Sequence, residues 1–150
     1  MPQSLAKNLI HLVFSTKNRE PILIESVREP LCLYGSAVLR DLDSNVVAIN
    51  AWHDHVHILF VLSKNHPLAR VVMEVKRATS KWIKTQGKQF AKFHWQSGYG
   101  AFSIGQSGVD EVTTYIANQA EHHRVKSFEE EFRSFLKRYQ IEFDERFVWD

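Results

Sequence analysis

Trp52-His53-Asp54-His55-Val56-His57-Ile58-Leu59-Phe60 places two histidines around one aliphatic residue and runs directly into an apolar stretch. Residues 55–62 read as a strand. Side chains alternate faces along a strand, so His55 and His57 point to one side and Val56 to the other. Two imidazoles on one face can reach a single metal ion, because neutral imidazole is the commonest side-chain ligand. The same pair can also line a polar face with no ion involved.

Outward from this strand, residues 46–51 form its hairpin partner across a short turn. Asn8 to Ser15 (NLIHLVFS) is short, apolar and rich in strand formers. From Ser26 to Leu42, the residues Val27, Leu31, Tyr34, Val38 and Leu42 recur at helical spacing. Ser26 with Glu29 has the form of a capping box. A second helix is expected over about 67–86, with Leu68, Val71, Val72, Val75, Ala78 and Trp82 as its apolar stripe. Arg70, Arg77, Lys81 and Lys84 fall on its other side. Between Lys64 and Lys92 there are eight Lys or Arg and one acid, Glu74. Such a face is either solvated surface or a contact for phosphates, where Lys and Arg displace counterions.

A glycine-punctuated aromatic segment, 93–104, leads into a strand over about 100–105. Residues 109–124 are expected as one helix, and Ser127 to Tyr139 as another, capped by Ser127 with Glu129–Glu131 near its positive end. The C-terminal aromatics are expected to pack back on the body. The order β-α-β-β-α-β plus two helices is the ferredoxin-like, split βαβ pattern, an α+β fold with an antiparallel sheet backed by helices. That core hosts many unrelated functions.

The 150 residues suit one domain, 1–150, with no internal repeat or linker. A single cysteine, Cys32, precludes an internal disulfide and fits a reducing cytoplasm. The first residues have no signal-peptide core, and no apolar run is long enough to span a membrane. The net charge of +2 does not by itself point to nucleic acid.

Tyr115 and Gln119 lie four apart on the expected 109–124 helix and so share a face, with His122 extending the row. Beside them Val109, Val112 and Ile116 form a docking stripe. A phenol and a carboxamide facing two imidazoles suggest a site, although a tyrosine is more often half-buried with its hydroxyl hydrogen-bonded. Two imidazoles and an amide oxygen would leave a divalent ion with open positions suited to a phosphate oxygen.

Four segments, His11-Leu12-Val13-Phe14-Ser15-Thr16-Lys17, Asp54-His55-Val56-His57-Ile58-Leu59, Trp95-Gln96 to Phe102, and Tyr115-Ile116-Ala117-Asn118-Gln119, carry a common likeness. Together they resemble the single-tyrosine transposases of the HUH-endonuclease superfamily, the insertion-sequence type that moves single-stranded DNA. Glu121-His122-His123-Arg124 and the ending Asp144-Glu145-Arg146-Phe147-Val148-Trp149-Asp150 are also similar to such relatives. The likeness spans nearly the whole chain. Relatives often carry Met-Pro before the Asp-His-Val-His, whereas this chain has Trp52-His53, which adds a third nearby imidazole.

The resemblance implies that His55, His57 and Gln119 hold Mg²⁺ or Mn²⁺, with His53, His122 or His123 able to join or replace Gln119. It implies Tyr115 as the nucleophile that joins to a 5′ phosphate and releases a 3′-hydroxyl. It implies single-stranded DNA with hairpin ends as substrate, and a homodimer whose tyrosine helix can serve the partner's metal site. Gly105 and Gly108 are the candidate hinge for that exchange. Arg70, Arg77, Lys81 and Lys84 would grip hairpin phosphates, and Trp95 and Tyr99 would stack on unpaired bases. The alternatives are an inactive or domesticated hairpin-binding regulator, and a metallohydrolase using water, with Tyr115 structural.

Overall fold

The computed structural model describes residues 2–150. Its first strand, β1, is Asn8–Ser15, followed by helix α1, Glu25–Asp41. A hairpin of β2, Val46–Ala51, and β3, His55–Leu62, leads into helix α2, Leu68–Ile83. The last strand is β4, Gly100–Ile104. Three helices complete the chain: α3, Val109–Ala117; α4, Gln119–His123; and α5, Phe128–Arg138.

The strands form one antiparallel sheet in the order β2-β3-β1-β4. This is the split βαβ arrangement, and the fold is α+β. Both hairpin strands keep the bounds that alternation predicts.

Alternation divides β1 and β3 between two packing environments. Leu12, Phe14, Val56, Ile58 and Phe60 face one layer, where α1 and α2 bring Val27, Leu31, Leu39, Val71, Val72, Val75 and Ile83 to a continuous apolar core. Leu9, Val13 and Leu59 face the other layer. There Ile116 of α3 and Phe128, Phe132, Phe135 and Leu136 of α5 cover the sheet. His11, His55 and His57 share this second face. In register, Ser15 lies opposite His55, Val13 opposite His57 and His11 opposite Leu59.

Two local expectations are corrected. Helix α1 begins at Glu25 behind Ile24, with no side-chain cap, so Ser26 lies inside the first turn and does not cap it. The single helix expected over 109–124 is broken at Asn118, whose φ of −100° and ψ of 35° leave the helical region. The break has a tertiary cause. Asn50 of β2 donates from Nδ2 to the carbonyl of Ile116 at 3.0 Å, taking an acceptor that the helix would otherwise use. Helix α5 starts as expected, with the Ser127 hydroxyl accepting from the Glu130 amide at 3.1 Å. The terminal Trp149 packs against Phe128 and Phe132.

Candidate active site

The two β3 histidines and His11 are buried in the seam between the sheet and α3–α5, with His55 and His57 wholly inaccessible. Buried imidazoles must be hydrogen-bonded, and their partners fix what each ring can do. His55 Nδ1 lies 2.6 Å from Asp54 Oδ1. His57 Nδ1 lies 2.9 Å from His11 Nε2. His123 Nδ1 donates to the Lys126 carbonyl at 2.7 Å. In each of the three rings Nδ1 is therefore occupied, and Nε2 is turned inward.

The three Nε2 atoms converge on Glu131 of α5. Its Oε1 lies 2.9 Å from His57 Nε2, 3.5 Å from His55 Nε2 and 3.4 Å from His123 Nε2. One donor atom from each of His55, His57, His123 and Glu131 falls within 4.8 Å of every other. Gln119 adds a fifth: its Oε1 is 3.1 Å from both His55 Nε2 and His123 Nε2. Gln119 Nε2 donates back to the Tyr115 carbonyl at 3.4 Å, which turns the amide oxygen toward the cluster. Three imidazole nitrogens, a carboxylate oxygen and a carboxamide oxygen around one point are a donor set that fits a divalent cation.

The second carboxylate oxygen of Glu131 accepts the Tyr115 hydroxyl. One carboxylate thus ties the phenol to the histidine cluster of the same chain. The Tyr115 ring stands edge-on to His57, with centroids 5.8 Å apart, and stacks on His122 at 4.1 Å. Burial, reinforced by the adjacent Glu131 charge, pushes the Tyr115 hydroxyl well above the ordinary phenol range. Burial alone would raise Glu131, but hydrogen bonds from His123, His55 and His57 outweigh it and hold the carboxyl far below the usual carboxylate range. Burial also lowers His55, yet Asp54 and Glu131 outweigh it and the net shift is upward. His57 stays lowered, burial prevailing over Glu131. His11 is pushed down to about 3 by burial and by His57.

A cavity of about 240 Å³ reaches this assembly from outside, lined by His11, Ser103, Gly105, Tyr115, Phe135 and Arg138 among others. It is an opening through which a ligand can approach the Tyr115 hydroxyl.

The sequence-derived set is only partly the structural one. His55, His57, Gln119 and Tyr115 do come together, within one chain. Of the three spare imidazoles, His123 joins the cluster. His122 lies against the Tyr115 ring. His53 stays outside, its nearest acid Asp54 at 3.7 Å. The break at Asn118 matters here, because it frees Gln119 and His123 to turn toward His55. Glu131 and His11 were missed. Glu131 does leave a signal: it sits three residues after Phe128 and four before Phe135, inside the apolar stripe of α5. His11 similarly alternates with Leu9 and Val13 on the buried side of β1.

Arg70, Arg77 and Lys81 are exposed on α2, and Lys84 is exposed just past its end. They stand on the layer opposite the histidines, and Arg77 is paired with Glu74 at 2.8 Å. Trp95 is buried, donating to Thr79 Oγ1 at 3.0 Å, whereas Tyr99 is partly open at a groove with Lys76 and Arg77. No helix among the described residues is long and apolar enough to cross a membrane.

This geometry can be set beside known proteins. The sequence pattern of the IS200-like transposases matches residues 4–119. The chain belongs to the IS200-like transposase family. Among solved structures, a candidate transposase from Deinococcus radiodurans R1 shares the fold with a TM-score of 0.62 and 20% identity, over 79% of this chain and 98% of that one. A REP-associated tyrosine transposase bound to a REP hairpin shares it with a TM-score of 0.59 and 16% identity, over 82% of this chain and 73% of that one. No curated protein matches the sequence. The IS200-like family pattern ends at Gln119, so His123 and Glu131 come from a part of the chain that it does not cover.

Proposed function

We propose that this IS200-like transposase cleaves and rejoins single-stranded DNA through a phosphotyrosine intermediate on Tyr115, with a divalent ion at the histidine cluster. The single observation carrying the reading is the contact between Tyr115 and Glu131 beside His55, His57 and Gln119. A phenol held next to a cation-fitting donor set is what nucleophilic attack on a phosphodiester requires.

The chain's own residues divide the work. Glu131 orients the Tyr115 hydroxyl by accepting its hydrogen bond, and the phenolic proton passes through the open cavity to solvent as the Tyr115 oxygen bonds to phosphorus. The bond from phosphorus to O3′ breaks, its electrons leave with O3′, and O3′ takes a proton from solvent water to become a 3′-hydroxyl. The 5′ phosphate stays on Tyr115, so rejoining to another 3′-hydroxyl needs no nucleotide cofactor. Phe135 and His11 line the cavity beside the phenol, and Arg138, which also lines it, attracts the incoming phosphate. His55, His57, His123, Glu131 and Gln119 would hold the ion, Mg²⁺ or Mn²⁺ by family resemblance, whose role there is to draw electron density from the phosphate.

The likeness to a hairpin-bound protein supports hairpin ends as the recognised substrate, with Arg70, Arg77, Lys81 and Lys84 as phosphate contacts and Tyr99 as a stacking surface. Two DNA ends and one tyrosine per chain support a homodimer. Tyr115 reaches the histidines of its own chain, which favours action within a subunit over exchange about Gly105 and Gly108.

The test is a labelled hairpin oligonucleotide with a single-stranded flank, incubated with protein and Mn²⁺ and run on a denaturing gel. A covalent adduct that disappears in Tyr115→Phe is the expected result. Strand cleavage without an adduct would convert the reading to a water-using metallohydrolase. Binding without cleavage would make the chain a hairpin-binding regulator.

A further inference from the structure

Two of the inward nitrogens have no choice of tautomer. The Lys126 carbonyl can only accept, so His123 Nδ1 must carry the hydrogen. The Asp54 carboxylate likewise takes the hydrogen of His55 Nδ1. Both Nε2 atoms point at Glu131 Oε1 and Gln119 Oε1, oxygens that can themselves ligate a cation. The partners on Nδ1 are also the kind that orient metal-binding imidazoles: a carboxylate for His55 and a backbone carbonyl for His123.

Spacing and donor chemistry then narrow the ion. Tetrahedral ligands at zinc-like bond lengths stand roughly 3.3 Å apart. The carboxylate-to-imidazole separations are 2.9, 3.4 and 3.5 Å. Imidazole nitrogen suits transition metals, whereas Mg²⁺ prefers oxygen and keeps several waters. Three of the four donors at this site, His55, His57 and His123, offer nitrogen and only Glu131 offers oxygen.

We infer that His123 and Glu131 complete, with His55 and His57, a three-histidine, one-carboxylate centre that takes a first-row transition ion such as Co²⁺, Zn²⁺ or Mn²⁺ in preference to Mg²⁺. Glu131 thereby has two roles, ligand through one oxygen and positioning residue for Tyr115 through the other. The inference rests on the proposed function only in taking His55 and His57 as ligands.

The experiment titrates full-length, metal-free protein with Co²⁺ and with Mg²⁺ by calorimetry, and follows the visible absorption of bound Co²⁺. Co²⁺ should bind at least about 100-fold tighter than Mg²⁺ and give the intense bands of a four- or five-coordinate ion. Glu131→Gln and His123→Asn should each weaken Co²⁺ by about tenfold or more and change its spectrum. His94→Ala, on an exposed histidine outside the cluster, should change neither. Far-ultraviolet circular dichroism of the metal-free variants verifies folding, and His123, at the half-buried end of the short α4, is the safer substitution. Equal affinity for Mg²⁺ and Co²⁺ overturns the selectivity. If both variants bind Co²⁺ as the parent does while His57→Ala abolishes it, the centre is the smaller His55–His57–Gln119 set and the inference fails alone. If His57→Ala also binds normally, the metal reading of the whole site fails with it.

Discussion

The two faces of the sheet are built from the same strands and do opposite things. On one, Leu12, Phe14, Val56, Ile58 and Phe60 pack against α1 and α2 in a largely apolar layer. On the other, His11, His55 and His57 stand on alternate residues of β1 and β3 and meet a carboxylate, a carboxamide and a phenol. Phe60 and His57 are equally inaccessible, so depth alone does not separate them. The difference lies in what burial costs. The apolar face gains from leaving water. The histidine face loses solvation and recovers it only through a connected run of hydrogen bonds, from His11 through His57 to Glu131 and Tyr115. One face holds the fold, and the other keeps reactive groups dry and oriented.

The largest effect that could break this division is on chemistry. Tyr115→Phe should reduce DNA adduct formation by at least about 10³-fold while leaving the melting temperature close to that of the parent. Phe60→Ala should do the reverse. It should cost about 3–5 kcal/mol by denaturant titration, yet leave adduct formation per folded molecule largely intact at low temperature. If Phe60→Ala abolished chemistry in folded protein, or Tyr115→Phe unfolded the chain, the two faces would not be separable.

A mixed-chain experiment sharpens the division further. Because Tyr115 and the histidines meet within one chain, combining Tyr115→Phe with His57→Ala protein should restore no adduct formation, even if the two copies associate. Recovery would mean that the tyrosine helix leaves its own histidines and serves a partner's.

The next effect is on the pH dependence of stability in metal-free protein. His11 is pushed down to about 3 in the fold and would titrate near 6.5 in the unfolded chain. The unfolded chain therefore takes up protons that the fold refuses. This contribution is present above about pH 6.5 and is lost as pH falls toward 3. His57, also lowered, has the same sign. Glu131, held low, adds the same sign below about pH 4.3. His55, raised, works oppositely, losing its contribution as pH rises above its ordinary range. The melting temperature should fall on acidification from pH 7 to 4, and His11→Phe should flatten that slope. Ile58→Val, on the apolar face, should lower the whole curve by about 1 kcal/mol without changing its slope. Equal slopes in the two variants would deny the histidine face its distinct electrostatics.

What the sequence disclosed follows the same line. Alternation of side chains is local, so β2 and β3 could be read to the residue, and with them the shared face of His55 and His57. The convergence of Tyr115 and Gln119 with that face was accessible through family likeness. The break at Asn118 was not, because its cause is Asn50, far away in the chain. Glu131 was read as a helix-start acid, for which surface electrostatics suffices, although its place between Phe128 and Phe135 pointed inward. Hydrogen-bond partners such as the Lys126 carbonyl have no side-chain signature at all. Periodicity shows where a residue faces, and only the fold shows what it meets.

The smallest expected effect concerns how DNA engages both layers. Arg70, Arg77, Lys81 and Lys84 lie outside the apolar face, whereas Arg138 borders the cavity on the histidine face. A hairpin that touches both must pass around an edge of the sheet, and the groove holding Lys76, Arg77 and Tyr99 offers one path. If Lys81 contacts a backbone phosphate, Lys81→Ala should reduce the slope of log affinity against log salt by about 0.7–0.9. It should leave the adduct rate at saturating DNA unchanged, because it touches nothing at the reacting phosphate. Arg138→Ala should lower that rate as well as affinity. An unchanged salt slope in Lys81→Ala would confine DNA to the histidine face, and the basic side of α2 would then be solvated surface alone.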